Sequence, residues 1–247
     1  MMFGGLKAVS ELDFEVKCRE LVGLIGPNGA GKTTVFNLIT GINNPTSGEI
    51  RFEGKLINGM HSFDIAALGV GRTFQSTRLF GALSVLDNVK TACHLHAKSN
   101  LLSAVLRTGR FLDDEKEIEE RSLRLLQAFG LSDLRDVRSN MLPYGRQRRL
   151  EIARALATEP KLLLLDEPAA GMNPQETEDL MRLIVRIRDE FNLAIFLIEH
   201  DMKVVMGICE RVGVLDYGVK IAEGPPEEIR RNPKVIEAYL GEDSGAR

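Results

Sequence analysis

Cysteine is scarce in this chain of 247 residues, which holds only Cys18, Cys93 and Cys209. The three lie far apart in sequence, and no two of them have the spacing of a redox or zinc motif. A disulfide framework and a cysteine metal site are therefore not expected. The thiols are predicted to be core residues in a reducing compartment.

Long apolar runs are absent as well. Leu193–Ile198 is among the longest, and it is far shorter than the ~20 residues that span a bilayer as a helix. The N-terminus also lacks the charged segment followed by an apolar one that marks a signal peptide. The chain is therefore expected not to cross a membrane by itself.

No charge sign dominates the sequence. The formal net charge is −3, and Lys and Arg are interspersed with Asp and Glu throughout. Nucleic-acid and polybasic membrane footprints need clustered positive charge. We therefore expect no nucleic-acid partner.

What the sequence does contain is a phosphate-binding motif, Gly-Pro-Asn-Gly-Ala-Gly-Lys-Thr-Thr, which follows the apolar run Leu21–Ile25 and leads into a helical pattern. Its glycines let backbone N–H groups turn towards a phosphate, Lys32 adds a charge at the β- and γ-phosphates, and the Thr33 hydroxyl is placed to hold Mg²⁺. A chance Gly-rich turn is the alternative. The motif alone does not choose among ATPases, GTPases and kinases. The predicted nucleotide-binding residues are Gly26, Pro27, Asn28, Gly29, Ala30, Gly31, Lys32, Thr33 and Thr34.

Continuous apolar runs predict the buried strands of a parallel sheet. They are Leu162–Leu165, Ala194–Ile198 and Val212–Leu215, with helical segments between them. Near the N-terminus, Leu6–Val16 and a hairpin around Gly48–Phe52 predict a small antiparallel β region. The fold class predicted is α/β: a P-loop NTPase with a RecA-like parallel sheet, a small antiparallel region and an inserted helical subdomain.

The helical insertion is predicted over residues 84–155, within a single domain whose α/β core comprises 1–83 and 156–247. Ser84 is a good N-cap for a helix that runs to about His96. A second helix is predicted over Asp113–Phe129, with acidic residues in its first turn and Gly130 as its stop. Leu101–Phe111 is short and not assigned.

Two carboxylates follow the run Leu162–Leu165, at the edge of the sheet where the phosphate motif is expected. Asp166 is predicted to reach the Mg²⁺ shell, and Glu167 to orient or deprotonate the attacking water. The alternative is a pair of ordinary loop acids.

A loop that enters a helix is predicted at Leu142-Pro143-Tyr144-Gly145-Arg146-Gln147-Arg148-Arg149. N–H groups at such a helix N-terminus make a second anion site, although the lysine motif already serves one phosphate. Two complementary half-sites suggest a pair of chains. Together with the phosphate motif and Asp166-Glu167, this loop resembles the signature of ABC transporter ATP-binding subunits.

The family pattern at this loop is Leu-Ser-Gly-Gly-Gln, and Pro143 and Tyr144 here replace its serine and first glycine. Proline brings neither a hydroxyl nor an N–H, so hydrogen bonds to a partner's γ-phosphate are lost there. The resemblance implies that Tyr144, Gly145 and Gln147 contact ATP held by the opposite subunit.

Four further roles are implied by the resemblance alone. Gln75 matches the glutamine that senses Mg²⁺ and water, and His200 the histidine that contacts the γ-phosphate. Phe3 matches the aromatic residue that stacks on adenine, although relatives usually have a strand before it. Asn173 stands where many relatives carry an aspartate that bridges the subunits.

Within the family, Tyr144–Arg149, Glu167–Gly171 and the tail Asn232–Gly241 are similar to branched-chain amino-acid importer ATPases. The resemblance implies ATP and Mg²⁺ as cofactors. It also implies a second ATP-binding subunit, membrane permeases contacted by Arg78–Leu86, an external binding protein, and a place at the cytoplasmic face of the membrane. A soluble ABC ATPase or a lipid exporter remains an alternative. A GTPase is disfavoured because no Asn-Lys-X-Asp motif is present.

Overall fold

A computed structural model describes residues 1–3, 6–96 and 108–243. They form two compact units: unit 1 contains Met1–Arg72 and Lys161–Arg247, and unit 2 contains Thr73–Pro160. Most of the unassigned segment Leu101–Phe111 lies outside the described residues. Strands and helices are numbered below in chain order.

Unit 1 is built on a six-stranded sheet. Five of its strands are parallel, and only the edge strand β10 is antiparallel to its neighbour. The three strands predicted from apolar runs are confirmed. The order across the sheet is β10 (Val219–Gly224), β9 (Arg211–Asp216), β3 (Leu21–Ile25), β8 (Ala194–Ile198), β7 (Leu162–Asp166) and β6 (Val70–Arg72).

Six described helices flank this sheet or follow it. They are α1 (Lys32–Ile39), α2 (Ser62–Leu68), α6 (Pro174–Phe191), α7 (Met202–Ile208), α8 (Pro226–Arg231) and α9 (Pro233–Asp243). A capping box starts α6, because the side chains of Asn173 and Glu176 each accept a hydrogen bond from the other's backbone N–H. The two tail helices are separated by Asn232.

Two small antiparallel pairs lie beside the main sheet of unit 1. They are β1 (Met2–Phe3) with β2 (Leu6–Lys7), and β4 (Arg51–Phe52) with β5 (Lys55–Leu56). The predicted hairpin is thus confirmed, but the extended prediction through Val16 is wrong beyond Lys7. Glu11 has a φ of +50°, which interrupts an extended chain.

The core of unit 1 fixes the edge at which its loops meet. Phe196 on β8 lies with its ring centroid 5.2 Å from those of both Phe14 and Phe36, so strand, loop and α1 pack together. Strands β3, β7 and β8 are fully buried and parallel. Their carboxyl ends therefore deliver the loops that follow them to one edge of the sheet.

Unit 2 is helical. Its main helices are α3 (Val85–Cys93), α4 (Gly109–Ala128) and α5 (Tyr144–Leu156), with 3₁₀ turns at His94–His96, Ser132–Leu134 and Ser139–Met141. Ser84 caps α3 as predicted, since its hydroxyl accepts from the N–H of Asp87 at 3.0 Å. Helix α4 begins four residues before the predicted Asp113, so the prediction of acidic residues in its first turn is wrong. The buried apolar residues of α4 are Ile118, Leu125 and Leu126, and the following Phe129 is buried as well.

Candidate functional site

The phosphate motif forms a loop between the end of β3 and the start of α1. Gly26 has a φ of +149°, and a Cβ there would lie 2.0 Å from the carbonyl oxygen of Leu215. Gly31 has a φ of +103°, and its Cβ would lie 2.3 Å from the carbonyl oxygen of Ala8. Both positions therefore require glycine. The loop has the strand, turn and helix context of a nucleotide cradle.

Lys32 is the charged group of this loop. Its side chain is 8% exposed, and its Nζ donates to the carbonyl oxygens of Gly26 at 2.6 Å and Pro27 at 2.8 Å. The ammonium group is therefore held by two carbonyls at the start of its own loop. Asn28, Gly29 and Thr33 are exposed, so the Thr33 hydroxyl and the surface of the loop are accessible to a ligand. Within the same motif, Ala30 is buried and Thr34 is half-buried.

Asp166 ends β7 and is 3% exposed. Its Oδ2 accepts from a guanidinium nitrogen of Arg72 at 3.1 Å. Arg72 also donates to Asn37 Oδ1 at 2.8 Å and Thr40 Oγ1 at 3.1 Å, which ties the carboxylate to α1. Burial raises the pKa of Asp166, while Arg72 and the charge of Lys32 oppose that rise. The sequence alone did not predict that Arg72 binds Asp166. The available signal was that Arg72 lies three residues before Gln75.

Glu167 and His200 come together at the same sheet edge. The N–H of Glu167 donates to the carbonyl of Ile198 at 2.9 Å, which joins the loops after β7 and β8. The Oε2 of Glu167 lies 3.8 Å from Nδ1 of His200. Glu167 has a φ of +46°, an uncommon backbone for a residue with a side chain. The structure therefore places both residues that were singled out for hydrolysis side by side.

Phe3 and Asn173 are the remaining unit 1 candidates. Phe3 lies in β1, where it pairs with Leu6. The side-chain oxygen of Asn173 accepts from the N–H of Glu176 at 3.0 Å. Asn173, which stands where many relatives carry a bridging aspartate, is thus the N-cap of α6.

The signature loop lies in unit 2 and feeds α5, whose N-cap is Pro143. Pro143 and Tyr144 are exposed and Gly145 is buried. Gln147 donates from Nε2 to the carbonyl of Leu142 at 2.8 Å, so its amide closes its own loop. The glutamine position of the Leu-Ser-Gly-Gly-Gln pattern falls on Arg146 and not on Gln147. Arg146 donates to the carbonyl of Gly130 at 2.7 Å.

Gln75 also lies in unit 2, and a buried arginine connects it to this loop. Arg148 is 3% exposed and donates to the backbone carbonyls of Gln75 and Phe74. It also donates to the hydroxyl of Tyr144 at 2.9 Å and pairs with Glu151 at 3.0 Å. Sequence reasoning missed this role, because a run of arginines at a helix start is normally a solvated face.

The chemistry of the donors can be compared with that of a metal site. Among the described residues, no group of three or more His, Cys, Asp or Glu side chains could hold a metal ion. The hydroxyl of Thr33 and the carboxylate of Asp166 are hard oxygen donors, which suit Mg²⁺ bound mainly through phosphates and water. In the same part of the chain, no helix has both the length and the apolar character needed to span a bilayer.

Known proteins resemble this chain over nearly its whole length. The family model described as ABC transporter matches residues 9–170, and that described as branched-chain amino acid ATP-binding cassette transporter matches residues 219–244. The high-affinity branched-chain amino acid transport ATP-binding protein BraF of Pseudomonas aeruginosa is 48% identical over 242 residues, covering 98% of this chain and 95% of BraF.

Two solved structures show the same fold. The ADP conformation of MJ1267, an ATP-binding cassette of an ABC transporter, superposes with a TM-score of 0.84 at 29% identity, covering 98% of this chain and 95% of that one. The dimeric, post-hydrolysis structure of the cassette MJ0796 with ADP and phosphate gives 0.76 at 26% identity, covering 92% and 94%.

Proposed function

This chain belongs to the ABC transporter family of ATP-binding proteins, and we propose that it powers a membrane importer for branched-chain or related amino acids. ATP binding and hydrolysis follow from the family. The observation that carries the amino-acid assignment is the match of residues 219–244 to a family model specific for branched-chain amino-acid cassettes. That match covers β10 and both tail helices, outside the region matched by the general family model.

ATP binding is assigned to the cradle of residues 26–34. Backbone N–H groups and the positive end of α1 favour the phosphates. The ammonium group of Lys32 donates to the carbonyls of Gly26 and Pro27 in the cradle. Its positive charge would bind the β- and γ-phosphates. Phe3 is assigned to stack on the adenine ring, an aromatic contact that contributes about 1 kcal/mol to binding.

Mg²⁺ fits the oxygen donors of the cradle, and Thr33 and Asp166 would hold it directly or through water. When bound, the ion supplies charge that offsets the phosphates. Arg72 keeps the Asp166 carboxylate fixed against α1 through the bonds to Asn37 and Thr40.

Hydrolysis is assigned to Glu167 and His200. The Glu167 carboxylate orients the attacking water and accepts its proton, and a general base of this kind typically contributes about 10²- to 10⁴-fold. His200 is 60% exposed at its side chain, so its imidazole is free to reach a γ-phosphate while Nδ1 faces Glu167.

Pairing of two cassettes completes each site. The start of α5, with Tyr144, Gly145 and Gln147, is assigned to the nucleotide held by the opposite subunit. The helix N-terminus supplies N–H groups in place of the serine hydroxyl that Pro143 lacks. ATP would draw the pair together because its γ-phosphate binds the closed form better than the open one. Hydrolysis would then release it.

The surface assigned to the permease is an apolar patch of unit 2, formed by Phe80, Leu83 and Met141. These side chains are 50%, 38% and 73% exposed. The N–H of Ser139 donates to the carbonyl of Leu83 at 3.0 Å, which holds the two segments of the patch together. Exposed apolar residues gathered in one place mark an interaction surface. Through the permease the chain would sit at the cytoplasmic face and serve an external binding protein.

The test is purification of the chain with its membrane subunits from native membranes and reconstitution in lipid vesicles. ATP-dependent uptake of radiolabelled leucine, isoleucine or valine is expected, and it should stop when Glu167 is replaced by Gln. Extraction of lipid from the vesicles without amino-acid uptake would instead identify a lipid exporter. Recovery of the chain without any integral membrane subunit would contradict a transporter role.

A further inference from the structure

Glu199 is a fully buried carboxylate at the junction of the loops that follow β7 and β8. It is 0% exposed, and it stands between Ile198, the last residue of β8, and His200. Among the described residues, the other buried carboxylates, Glu151 and Asp166, pair with Arg148 and Arg72. Glu199 pairs with neither lysine nor arginine in that part of the chain, so its burial needs another explanation.

Both oxygens of Glu199 accept hydrogen bonds from backbone N–H groups. Oε1 accepts from Ala169 at 2.9 Å. Oε2 accepts from His200 at 3.2 Å and from Asp201 at 3.5 Å. One carboxylate thus binds two loops that are 30 residues apart in sequence.

The first of these loops carries Glu167. The N–H of Ala170 donates to the carbonyl of Glu167 at 3.2 Å, which closes a tight turn that begins at Glu167, whose own φ is left-handed. The bond from Ala169 to Glu199 fixes this turn against β8. The second loop carries His200, whose backbone N–H is held by Glu199 and whose Nδ1 lies 3.9 Å from the Oε2 of Glu199.

We propose that Glu199 is a positioning residue for ATP hydrolysis, which sets the distance and orientation between Glu167 and His200 by binding both of their loops. This inference rests on the proposed roles of those two residues. Burial raises the pKa of Glu199, while the N–H groups of Ala169, Asp201 and His200 oppose that rise. An acceptor with two oxygens and no proton is what this arrangement of donors requires.

The direct test is Glu199→Gln, which keeps the size of the side chain. An amide has one acceptor oxygen, so an NH₂ group must then face N–H donors on one of the two loops. The cradle is untouched, and the Kd for ATP is expected to stay within about 2-fold of the wild type. The kcat is expected to fall by about 10²-fold, as for a small misplacement of catalytic groups. Glu20→Gln is the matched control, because Glu20 is a half-buried acid immediately before β3, at the opposite end of that strand from the cradle, and pairs with Arg211; its kcat should be unchanged.

A double-mutant cycle separates positioning from a general loss of stability. If Glu199 acts through His200, the losses in kcat of Glu199→Gln and His200→Ala will be strongly non-additive in the double variant. Additive losses, or a kcat for Glu199→Gln equal to the wild type, would overturn the inference while leaving the proposed function intact. A normal kcat for His200→Ala would remove the proposed role of His200, and the inference with it. Glu199→Asp, which keeps the charge on a shorter side chain, serves if Glu199→Gln does not fold, and the same non-additivity is expected.

Discussion

Nδ1 of His200 lies 3.8 Å from Oε2 of Glu167, although the two residues lie in loops that follow different strands of the sheet. The pairing follows from the parallel register, in which Asp166 lies beside Ile198. The residues proposed as general base and as phosphate contact are thereby held together at one edge of the sheet. The proposed hydrolysis of ATP depends on this neighbourhood of Glu167 and His200.

Replacing Glu167 by Gln is expected to keep ATP binding and to lower kcat by about 10²- to 10⁴-fold, because the amide cannot accept the proton of the water. Phosphate release and binding of a fluorescent ATP analogue measure the two quantities. Glu190→Gln, an exposed residue of α6, is the control and should behave as wild type. Turnover by Glu167→Gln close to that of this control would remove Glu167 from its role.

Replacing Lys32 by Met should weaken ATP binding. A hydrogen bond to a charged group is worth about 1.5–3 kcal/mol, so the Kd should rise by roughly 10- to 150-fold. Isothermal titration with ATP measures it. Lys161→Met is the control, since Lys161 is 61% exposed and pairs only on the surface with Glu53. Equal Kd values for the two variants would argue that Lys32 does not contact the nucleotide.

Arg148→Met should destabilise unit 2. It leaves Glu151 buried without its partner and takes donors away from the carbonyls of Phe74 and Gln75. Breaking one side of a buried ion pair costs about 3–5 kcal/mol, whereas an exposed pair contributes about 1 kcal/mol or less. Arg182→Met breaks such an exposed pair, with Asp179. Urea unfolding of both variants gives the comparison, and similar losses would contradict the buried pairing.

Acidification should weaken the fold through Glu20, which accepts hydrogen bonds from Arg211 at 2.8 and 2.9 Å. Burial pushes the pKa of Glu20 upward, but the bonds from Arg211 and Lys17 leave it below the ordinary value of 4.5. A carboxyl whose pKa is depressed in the folded state stabilises the fold above its unfolded pKa and loses that contribution as pH falls through the folded value.

The free energy of unfolding should therefore fall as the pH drops below about 4.5. The pKa of Glu223, the second partner of Arg211, is also lowered: burial raises it, and the hydrogen bond from Lys220 together with Arg211 outweighs that effect. Urea titrations between neutral and acidic pH measure the slope. Glu20→Gln should flatten the slope and Glu190→Gln should not; an unchanged slope in Glu20→Gln would contradict the assignment.

Much of unit 1 could be predicted from local signals. The apolar run at Leu21–Ile25, followed by a Gly-rich turn, predicts β3 and α1, and these signals are independent of the rest of the chain. Strand β10 was missed because it is an edge strand with half-exposed residues and no apolar run. Strand β6 was missed because three residues carry too little pattern.

The site was predictable as residue types but not as contacts. Arg72 reaches Asp166 across 94 residues of sequence, and Arg148 reaches Gln75 across 73. Such pairs depend on how strands and helices pack, which composition and periodicity do not encode. A sequence alone assigns arginines to the surface, because arginine is seldom buried unless it has a partner. The partners of Arg72 and Arg148 are visible only in the structure.

We propose that a neighbouring subunit supplies the last contacts to each bound nucleotide. A structure of the complete transporter with Glu167→Gln, trapped in saturating Mg-ATP, tests these contacts most directly. We expect the backbone N–H of Gly145 to lie about 3 Å, hydrogen-bond distance, from a γ-phosphate oxygen of the ATP in the other cassette. A Gly145 that points into solvent or towards the ATP of its own chain would contradict the account.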